Sequence, residues 1–459
     1  SYWLAGGYGT GLETTITEEL PVRFTSIAVG IFHSLAFTTN GEVYAWGRNN
    51  KGQLGLGTSG DENNKNSPVL IPTTDLSNVS GIAAGSYHSF ALTTNGEVYA
   101  WGWNNYGQLG LGTSGDENSP VLIPNLSNVS GIAAGYNYSL ALTTNGEVYA
   151  WGRNHLGELG LGTSGEATNK NSPVLIPNLS NVSGIAAGES HSFAFTTNGE
   201  VYAWGANYYG QLGLGTSGHE NNKNSPVLIP TTALSNVSGI AVGRSYSLAL
   251  TTNGEVYAWG SNFDGQLGLG TSGYENSKNS PVLIPNLSNV SGIAAGIHHS
   301  LAFTTNGEVY AWGGNYFGQL GLGTSGNAYN KNSPVLIPTT DLSNVSGIAA
   351  GGGYHSLALT TNVEVYAWGR NYFGGLGLGT SGDENSPVLI PAILVDYTTT
   401  TYINDNTATS IDNGETWVKQ SYTQTTSQLP TKSSTIQQVT TVKDVLWTGQ
   451  KWIVVGDIT

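Results

Sequence analysis

The chain has 459 residues but contains no cysteine and no methionine, and only 10% of its residues are charged. The missing cysteine excludes disulfide bonds and thiol chemistry. The missing methionine removes a common site of oxidative damage, which favours an extracellular or particle-surface location. A second interpretation stays open, because a chain built by copying one unit that lacks both residues would also lack them throughout.

Positive charge is scarce as well, since 15 lysine and arginine residues stand against 30 acidic residues and the net charge is -15. No run of lysine or arginine offers a stripe for phosphate groups, so we expect no nucleic-acid partner and no anionic membrane surface. No apolar stretch approaches the roughly 20 residues that span a bilayer, and no signal peptide is visible, so we expect no membrane insertion. The first residue is Ser1, which indicates a processed chain or a segment of a longer one.

The sequence is rich in glycine, with 65 residues, and in tyrosine and tryptophan, with 24 and 12. Together with many asparagine, serine and threonine residues, this composition indicates β-structure with tight turns. The dipeptide Trp-Gly recurs seven times at spacings between 50 and 56 residues, at Trp46, Trp101, Trp151, Trp204, Trp259, Trp312 and Trp368. The chain is therefore built mainly from seven copies of one unit.

Each copy contains four short apolar runs separated by turn residues, which predicts four strands. In the third copy, the dipeptide Asn145-Gly146 predicts a type I′ hairpin turn between the second and third strands. The first run, rich in glycine and alanine, suits a crowded innermost position. The fourth run, bounded by prolines, suits an outer edge, because proline cannot donate a hydrogen bond to a neighbouring strand.

The middle strands carry no polar face, since Leu140 and Leu142 alternate with Ala141. Both faces of each sheet must therefore be covered, as in blades packed around an axis. We predict an all-β fold, a seven-bladed propeller of four-stranded antiparallel blades. A linear solenoid is the alternative, although it would leave two apolar end faces.

The repeat pattern IAAGxxHSxALTTNGEVYAWGxNxxGQLGLGT resembles the repeat of the regulator of chromosome condensation family. This resemblance implies a seven-bladed propeller over residues 25–392, about four-fifths of the chain. The departures are local: Tyr138 and Tyr246 stand where other copies have histidine, Val363 replaces a turn glycine, and Gly375 replaces glutamine.

Two segments lie outside the seven copies: an N-terminal β segment, residues 1–24, and a small β-module, residues 393–459. The stretch from Ser410 to Trp417 matches the Asp-box pattern S-x-D-x-G-x-T-W, a structural hairpin motif in the proteins that carry it. The run Trp452 to Gly456 resembles the N-terminal Tyr2 to Gly7, so the two ends are expected to be related in kind.

Several repeated polar residues could carry chemistry, but each has a simpler interpretation. A histidine opens the second strand in five copies, and since tyrosine replaces it in two, we expect a packed residue hydrogen-bonded to a neighbouring blade rather than a metal ring. Seven glutamates follow the hairpin turns and are expected to form a solvated rim. Acidic pairs such as Asp61-Glu62 could gather calcium but better fit a solubilising loop. We therefore predict no metal, no cofactor and no catalytic residue.

The copies differ mainly in three windows: after IAAG, around the fixed asparagine that follows Trp-Gly, and in the loop that begins with TSG. In an up-and-down blade these three windows open on one face, and varied side chains on a rigid frame are typical of interaction surfaces. Drift in tolerant loops is the alternative. The predicted binding residues are Trp103, Tyr106, Tyr208, Tyr209, Phe263, Tyr316, Phe317, Arg370, Tyr372 and Phe373.

The sequence thus favours a non-enzymatic propeller that binds protein or glycan, as part of a cell-surface or virus-particle structure, with self-assembly as a further option. The family resemblance implies an alternative, guanine-nucleotide exchange or a chromatin-associated role, which the acidic balance and the missing basic tail argue against. The Asp-box suggests a glycosidase, but no arginine cluster or nucleophile pair accompanies it.

Overall fold

The computed structural model describes residues 11–72, 76, 78–230, 234–338, 342–410, 417–428, 438–440, 442–447 and 452–456, with side chains between residues 20 and 395. The chain divides into two compact units. One unit is Arg23–Pro391, and the other combines segments from both ends of the chain.

The larger unit consists of seven four-stranded antiparallel sheets, each formed by one repeat with its strands in chain order. These sheets are called blades 1 to 7, in chain order. The first strands are Phe24–Val29, Val79–Ala84, Val129–Ala134, Val182–Ala187, Val237–Val242, Val290–Ala295 and Val345–Ala350. The second strands are His33–Thr38, His88–Thr93, Tyr138–Thr143, His191–Thr196, Tyr246–Thr251, His299–Thr304 and His355–Thr360.

The third strands are Val43–Gly47, Val98–Gly102, Val148–Gly152, Val201–Gly205, Val256–Gly260, Val309–Gly313 and Val365–Gly369. The fourth strands are Lys65–Leu70, Glu117–Leu122, Lys170–Leu175, Lys223–Leu228, Lys278–Leu283, Lys331–Leu336 and Glu384–Leu389. Short 3₁₀ helices precede the fourth strand in five blades, at Asp61–Asn63, Glu166–Thr168, His219–Asn221, Tyr274–Asn276 and Asn327–Tyr329.

The blades are arranged around an axis and the ring is closed. The first strand of each blade contacts the first strand of the next, and the first strand of blade 7 contacts that of blade 1. Across this closing junction, the indole Nε1 of Trp46 donates a hydrogen bond to the backbone oxygen of Gly375 at 2.8 Å. The prediction of a seven-bladed propeller is confirmed, and the solenoid alternative is wrong.

The predicted type I′ hairpin turn is wrong. In blade 3, Gly146 has a φ of 77°, but Asn145 is not among the residues with positive φ. The amide of Gly146 donates to the oxygen of Thr143 at 3.0 Å, and the amide of Thr143 donates to the oxygen of Glu147 at 2.9 Å. This pattern is a type I turn followed by a glycine bulge, so only the glycine needs the left-handed conformation.

The core is a repeated contact between the bulky side chains of one blade and the small ones of its neighbour. Between blades 3 and 4, Leu140 and Val148 pack with Ala194 and Trp204 in one buried cluster. The seven tryptophans of the Trp-Gly dipeptides are equivalent and 0% exposed. Each sheet is therefore covered on both faces, as the missing polar alternation predicts.

The second unit contains a sheet in which Gly11–Pro21, Leu394–Ser410, Trp417–Gln428 and Gln438–Thr440 lie side by side in that order. A separate hairpin pairs Val442–Trp447 with Trp452–Gly456. Ser410 lies opposite Trp417 on antiparallel strands, but residues 411–416, the interior of the proposed Asp-box, lie outside the described residues. The Asp-box module therefore stays a prediction, as does the kinship with residues 2–7, which also lie outside the described part of the chain.

Candidate interaction face

Adjacent blades are joined by a hydrogen-bond unit that recurs at all seven junctions. Between blades 3 and 4, the backbone oxygen of Glu158 accepts from Trp204 Nε1 at 2.8 Å and from Ser192 Oγ at 2.9 Å. The equivalent acceptors at the other junctions are Gly375, Gln53, Gln108, Gln211, Gln266 and Gln319. The tryptophan thus fixes the spacing of the blades as well as filling the core.

The repeated histidines complete this unit. His33 Nε2 lies 2.9 Å from Ser89 Oγ of the next blade, and since that hydroxyl donates to a carbonyl, the histidine donates to it. Where tyrosine replaces histidine, Tyr138 Oη donates instead to the backbone oxygen of His191 at 2.7 Å. The predicted hydrogen bond to a neighbouring blade is confirmed for His33, His88, His191, His299 and His355.

Burial keeps these histidines neutral. It lowers the pKa of His33, His88, His191 and His299 to about 3 and that of His355 to about 4. A neutral imidazole that donates through Nε2 leaves Nδ1 bare, which agrees with the unpartnered Nδ1 atoms of His33 and His88. In the described part of the chain, no group of three or more histidines and carboxylates is placed to hold a metal ion.

The fixed asparagine after Trp-Gly anchors the loop between the third and fourth strands. In blade 3, buried Asn154 accepts from the amide of Leu159 at 3.0 Å and donates to the oxygen of Thr163 at 2.9 Å. The same pair of bonds forms at Asn49, Asn104, Asn207, Asn262, Asn315 and Asn371. The neighbours of this asparagine are therefore held in place, whatever their side chains.

The three variable windows meet on one side of the propeller, which we call the loop face. The residue after Trp-Gly donates its amide to the window after the first strand in every blade, as Arg153 does to Asn137 at 2.9 Å. The third window joins them through the Arg48–Asp61 ion pair at 3.1 Å and the Phe263–Tyr274 ring contact at 4.8 Å. The opposite side, with the hairpin turns and seven glutamates, is the turn face.

The predicted residues of blades 6 and 7 form one cluster on the loop face. The guanidinium of Arg370 lies 4.6 Å from the ring centre of Phe317 and 6.0 Å from that of Tyr372. Tyr372 and Phe373 contact edge to face at 4.7 Å. Tyr372 is 68% exposed, whereas the other residues of this cluster are half-buried.

A buried carboxylate supports this cluster from blade 5. Asp264, 3% exposed, accepts a hydrogen bond from Tyr316 Oη and lies 2.8 Å from His298 Nδ1. The ring of His298 stacks on Tyr354, with 5.7 Å between the centres. Burial, followed by the hydrogen bond from Tyr316 to the Asp264 carboxylate, raises the pKa of Tyr316 above its ordinary value.

The other predicted residues lie in two further groups. Trp103 and Tyr106 of blade 2 contact each other edge to face at 5.6 Å, and the Arg153 guanidinium lies 5.8 Å from the Tyr106 ring. In blades 4 and 5, Tyr209 and Phe263 both contact Tyr274, with ring centres 6.0 and 4.8 Å apart. Tyr208, Tyr209 and Phe263 are exposed.

All ten predicted residues lie on the loop face and none is buried, but they form three groups rather than one arc. Asp264, His298 and Tyr354 contact this face but are not among the ten predicted residues. Asp264 occupies the second position after the fixed asparagine, where Lys51 or Phe317 stands in other blades. Asp264 is the one acidic residue at a position where the other blades carry aromatic, aliphatic or basic residues, and this difference could have identified it from the sequence.

The acidic loop pairs have a structural task at several positions. Asp116 accepts a hydrogen bond from the amide of Asn104 at 2.9 Å, and Asp383 accepts one from Asn371 at 2.7 Å. In blade 3, the side-chain oxygen of Asn169 accepts the equivalent hydrogen bond from the backbone amide of Asn154 at 2.8 Å. These residues shape the loop around the fixed asparagine, and an amide serves as well as a carboxylate.

The fold and these junctions define a closed seven-bladed propeller that displays varied loops on one face. The family model described as the RCC1-like domain matches residues 5–230 and 180–418. The chain belongs to the RCC1-like domain family. No helix in the described part of the chain is long and apolar enough to cross a membrane.

Among relatives, the ultraviolet-B receptor UVR8 of Arabidopsis thaliana is 34% identical over 409 residues, covering 87% of this chain and 88% of that protein. The human E3 ubiquitin-protein ligase HERC2 is 35% identical over 326 residues, which cover 70% of this chain but 6% of HERC2.

Among solved structures, Prp20p of Saccharomyces cerevisiae matches with a TM-score of 0.64 and 29% identity, over 72% of this chain and 80% of that one. Prp20p is described as binding Gsp1p and histones. The relatives of this propeller therefore include proteins that bind other proteins.

Proposed function

We propose that this chain is a non-enzymatic interaction module that binds a partner protein through its loop face. The single observation that carries the proposal is the contrast between a repeated frame and an unrepeated surface. The frame is the same hydrogen-bond unit at seven junctions, while the loop face carries different aromatic, arginine and polar side chains in each blade.

Exposed aromatic rings support this assignment. Tyr208, Tyr209, Phe263 and Tyr372 expose more than a third of their surface beside arginines on the same face. Aromatic residues and arginine contribute much of the binding energy at protein interfaces. The relatives named above support a protein partner in particular, since Prp20p is described with protein ligands.

The alternatives expected from the sequence have less support. Glycan binding, self-assembly and a place on a cell or particle surface find no counterpart in the relatives above. Nucleotide exchange or a chromatin role would carry over from individual relatives, but it would require a protein partner on the same propeller. Binding of a partner protein is therefore the feature that these activities have in common.

The test compares two pairs of surface substitutions in proteins captured from an extract of the native source. Tyr208→Ser with Tyr372→Ser removes exposed rings from the loop face. Glu308→Gln with Glu364→Gln is the matched control on the turn face, at exposed positions. Tyr316 is unsuitable for this purpose, because its hydroxyl donates to buried Asp264 and its loss would disturb the fold.

We expect the loop-face variant to melt like the wild type and to lose its captured partners, and the turn-face variant to retain them. If both variants retain the same partners, or if only the turn-face variant loses them, the loop face is not the binding face and the proposal is wrong.

A further inference from the structure

Two backbone-linked positions on the loop face differ in size between blades, and in five of the seven blades both positions are bulky or both are small. The residue after Trp-Gly is joined by its amide to the residue just before the second strand in every blade. Blades 7, 1 and 2 carry bulky side chains at both positions, namely Tyr354 with Arg370, Phe32 with Arg48, and Tyr87 with Trp103. Blades 4 and 5 carry only small ones, Ser190 with Ala206 and Ser245 with Ser261.

The small residues leave a groove over blades 4 and 5, with a volume of about 570 Å³. Ala206 and Ser261 both line it and are buried. Tyr209, Phe263 and Tyr274 give it aromatic walls. Its volume falls in the range of pockets that take a small ligand or a short stretch of a partner.

Cationic side chains line the same groove. Arg153 and Arg244 both contribute to its wall, together with Glu189. Arg244 is paired with Glu189 at 2.7 Å. Among the residues that the structure describes, Arg153 has no carboxylate within salt-bridge distance, and its guanidinium lies 5.8 Å from the Tyr106 ring.

This local charge stands out against the rest of the molecule. The whole chain has a net charge of -15 and only five arginines. Four of the five, Arg48, Arg153, Arg244 and Arg370, lie on the loop face, and two of these line the groove. Guanidinium groups bind carboxylates through paired hydrogen bonds, so charge complementarity selects an acidic ligand.

We propose that the groove over blades 4 and 5 binds an extended segment of a partner protein in which an aspartate or glutamate is flanked by apolar side chains. The carboxylate pairs with Arg153, and the flanking side chains pack on the aromatic walls. Leu156 and Ile297 also line the groove and add apolar surface for the flanking side chains of a peptide. This inference rests on the proposed function and specifies its site and ligand.

The probe is a displayed library of random linear peptides, selected on the whole chain. We expect the selected peptides to share an acidic residue next to aromatic or aliphatic ones. Arg153→Gln should weaken their binding on the order of tenfold or more. Arg48→Gln is its matched control, because it removes an arginine from the same position of blade 1, outside the groove.

A second pair of variants tests the groove by filling it. Ala206→Trp places in blade 4 the residue that blade 2 carries at this position, Trp103, and should abolish peptide binding. Arg48→Trp adds the same side chain outside the groove and should leave binding unchanged. Ser261→Trp repeats the test in blade 5, and thermal melting shows that each variant is folded.

Three results would overturn the inference. Selected peptides could lack acidic residues, or could bind Ala206→Trp and Ser261→Trp as well as the wild type. Alternatively, an array of uronic-acid and sialic-acid glycans could bind in an Arg153-dependent way while no peptide does. If partner capture depends on Tyr208 and Tyr372 but not on Ala206, the groove assignment fails and the proposed function stands.

Discussion

The indole Nε1 of Trp204 lies 2.8 Å from the backbone oxygen of Glu158, and this hydrogen bond crosses the junction between blades 3 and 4. The two residues belong to different repeats, so the bond couples the core of one blade to the loop of the previous blade. The same coupling at every junction makes the ring a single cooperative structure.

Replacing Trp204 by alanine should lower the free energy of unfolding by about 3 to 5 kcal/mol, because a fully buried aromatic side chain is lost. Chemical denaturation measures this change. Trp204→Phe is the control, since it keeps an aromatic ring but removes the N–H and part of the ring volume, and it should cost less than the alanine variant. A loss below about 1 kcal/mol for the alanine variant would show that Trp204 is not a core residue.

Replacing Glu158 by glutamine should stabilise the protein at alkaline pH. Burial raises the pKa of Glu158 from 4.5 to about 7. Because the folded pKa lies above the unfolded value, the contribution of Glu158 to stability is complete below about pH 4.5 and is lost as pH rises through 7. Glutamine occupies this position in five blades and keeps the hydrogen bond from the amide of Leu156.

The stability difference between Glu158→Gln and the wild type should grow by about 2 to 3 kcal/mol between about pH 5 and about pH 8, at 1.36 kcal/mol per pKa unit. Urea denaturation at both pH values measures it. A difference that does not change with pH would mean that the carboxylate is solvated in the folded protein.

The buried histidines should make the propeller sensitive to acid. Their folded pKa values, about 3 or 4, lie below the ordinary value of 6.5, so the unfolded chain binds more protons between these limits. The contribution of these histidines to stability is therefore complete above pH 6.5 and is lost as pH drops, by about 1.4 kcal/mol per pH unit for each histidine.

His88→Tyr isolates one of these contributions, because tyrosine already fills the equivalent positions at Tyr138 and Tyr246. Urea denaturation across a pH series gives the free energy of unfolding at each pH. The slope of this free energy against pH should be smaller, by the equivalent of about one proton, in His88→Tyr than in the wild type. Carboxylates contribute equally to both profiles and cancel in the difference. Identical slopes for the two proteins would contradict the buried, neutral state of His88.

Replacing Val363 by glycine should stabilise blade 7. Val363 holds a left-handed φ of 62° in the hairpin turn where the other blades have glycine. A left-handed conformation costs an L-residue about 1 to 2 kcal/mol. Glycine removes this strain, but it also raises the entropy of the unfolded chain, which offsets part of the gain. We expect a net gain of about 1 kcal/mol by thermal denaturation.

The matched reverse change is Gly307→Val in blade 6, where φ is 77° and an added Cβ would lie 2.6 Å from Asn344 Cα. It should destabilise the protein by more than Val363→Gly stabilises it. If both changes have no effect, the turn conformation does not depend on glycine.

Much of the frame could be predicted from the sequence because each repeat carries the same signals. Trp-Gly spacing gave the number of blades, and the replacement of histidine by Tyr138 indicated a hydrogen bond rather than a metal ring. The turn type was missed because Asn-Gly fits two hairpin geometries, and only the φ of Asn145 distinguishes them.

The loop face was harder to predict because its contacts join different blades. The hydrogen bond between Tyr316 and Asp264 connects residues 52 positions apart, and the repeat pattern of the sequence does not indicate it. The groove was hidden for a related reason. Ser190 and Ala206 look unremarkable in separate windows, and only the backbone bond between them shows that both small residues open the same space.

The most direct test of the loop face as the binding face is site-specific photo-crosslinking in an extract of the native source. A photoreactive residue replaces exposed Tyr372 on the loop face in one variant and exposed Glu308 on the turn face in another. We predict that a discrete partner protein is crosslinked from position 372 and not from position 308. Crosslinks from position 308 alone, or equally from both positions, would contradict the assignment.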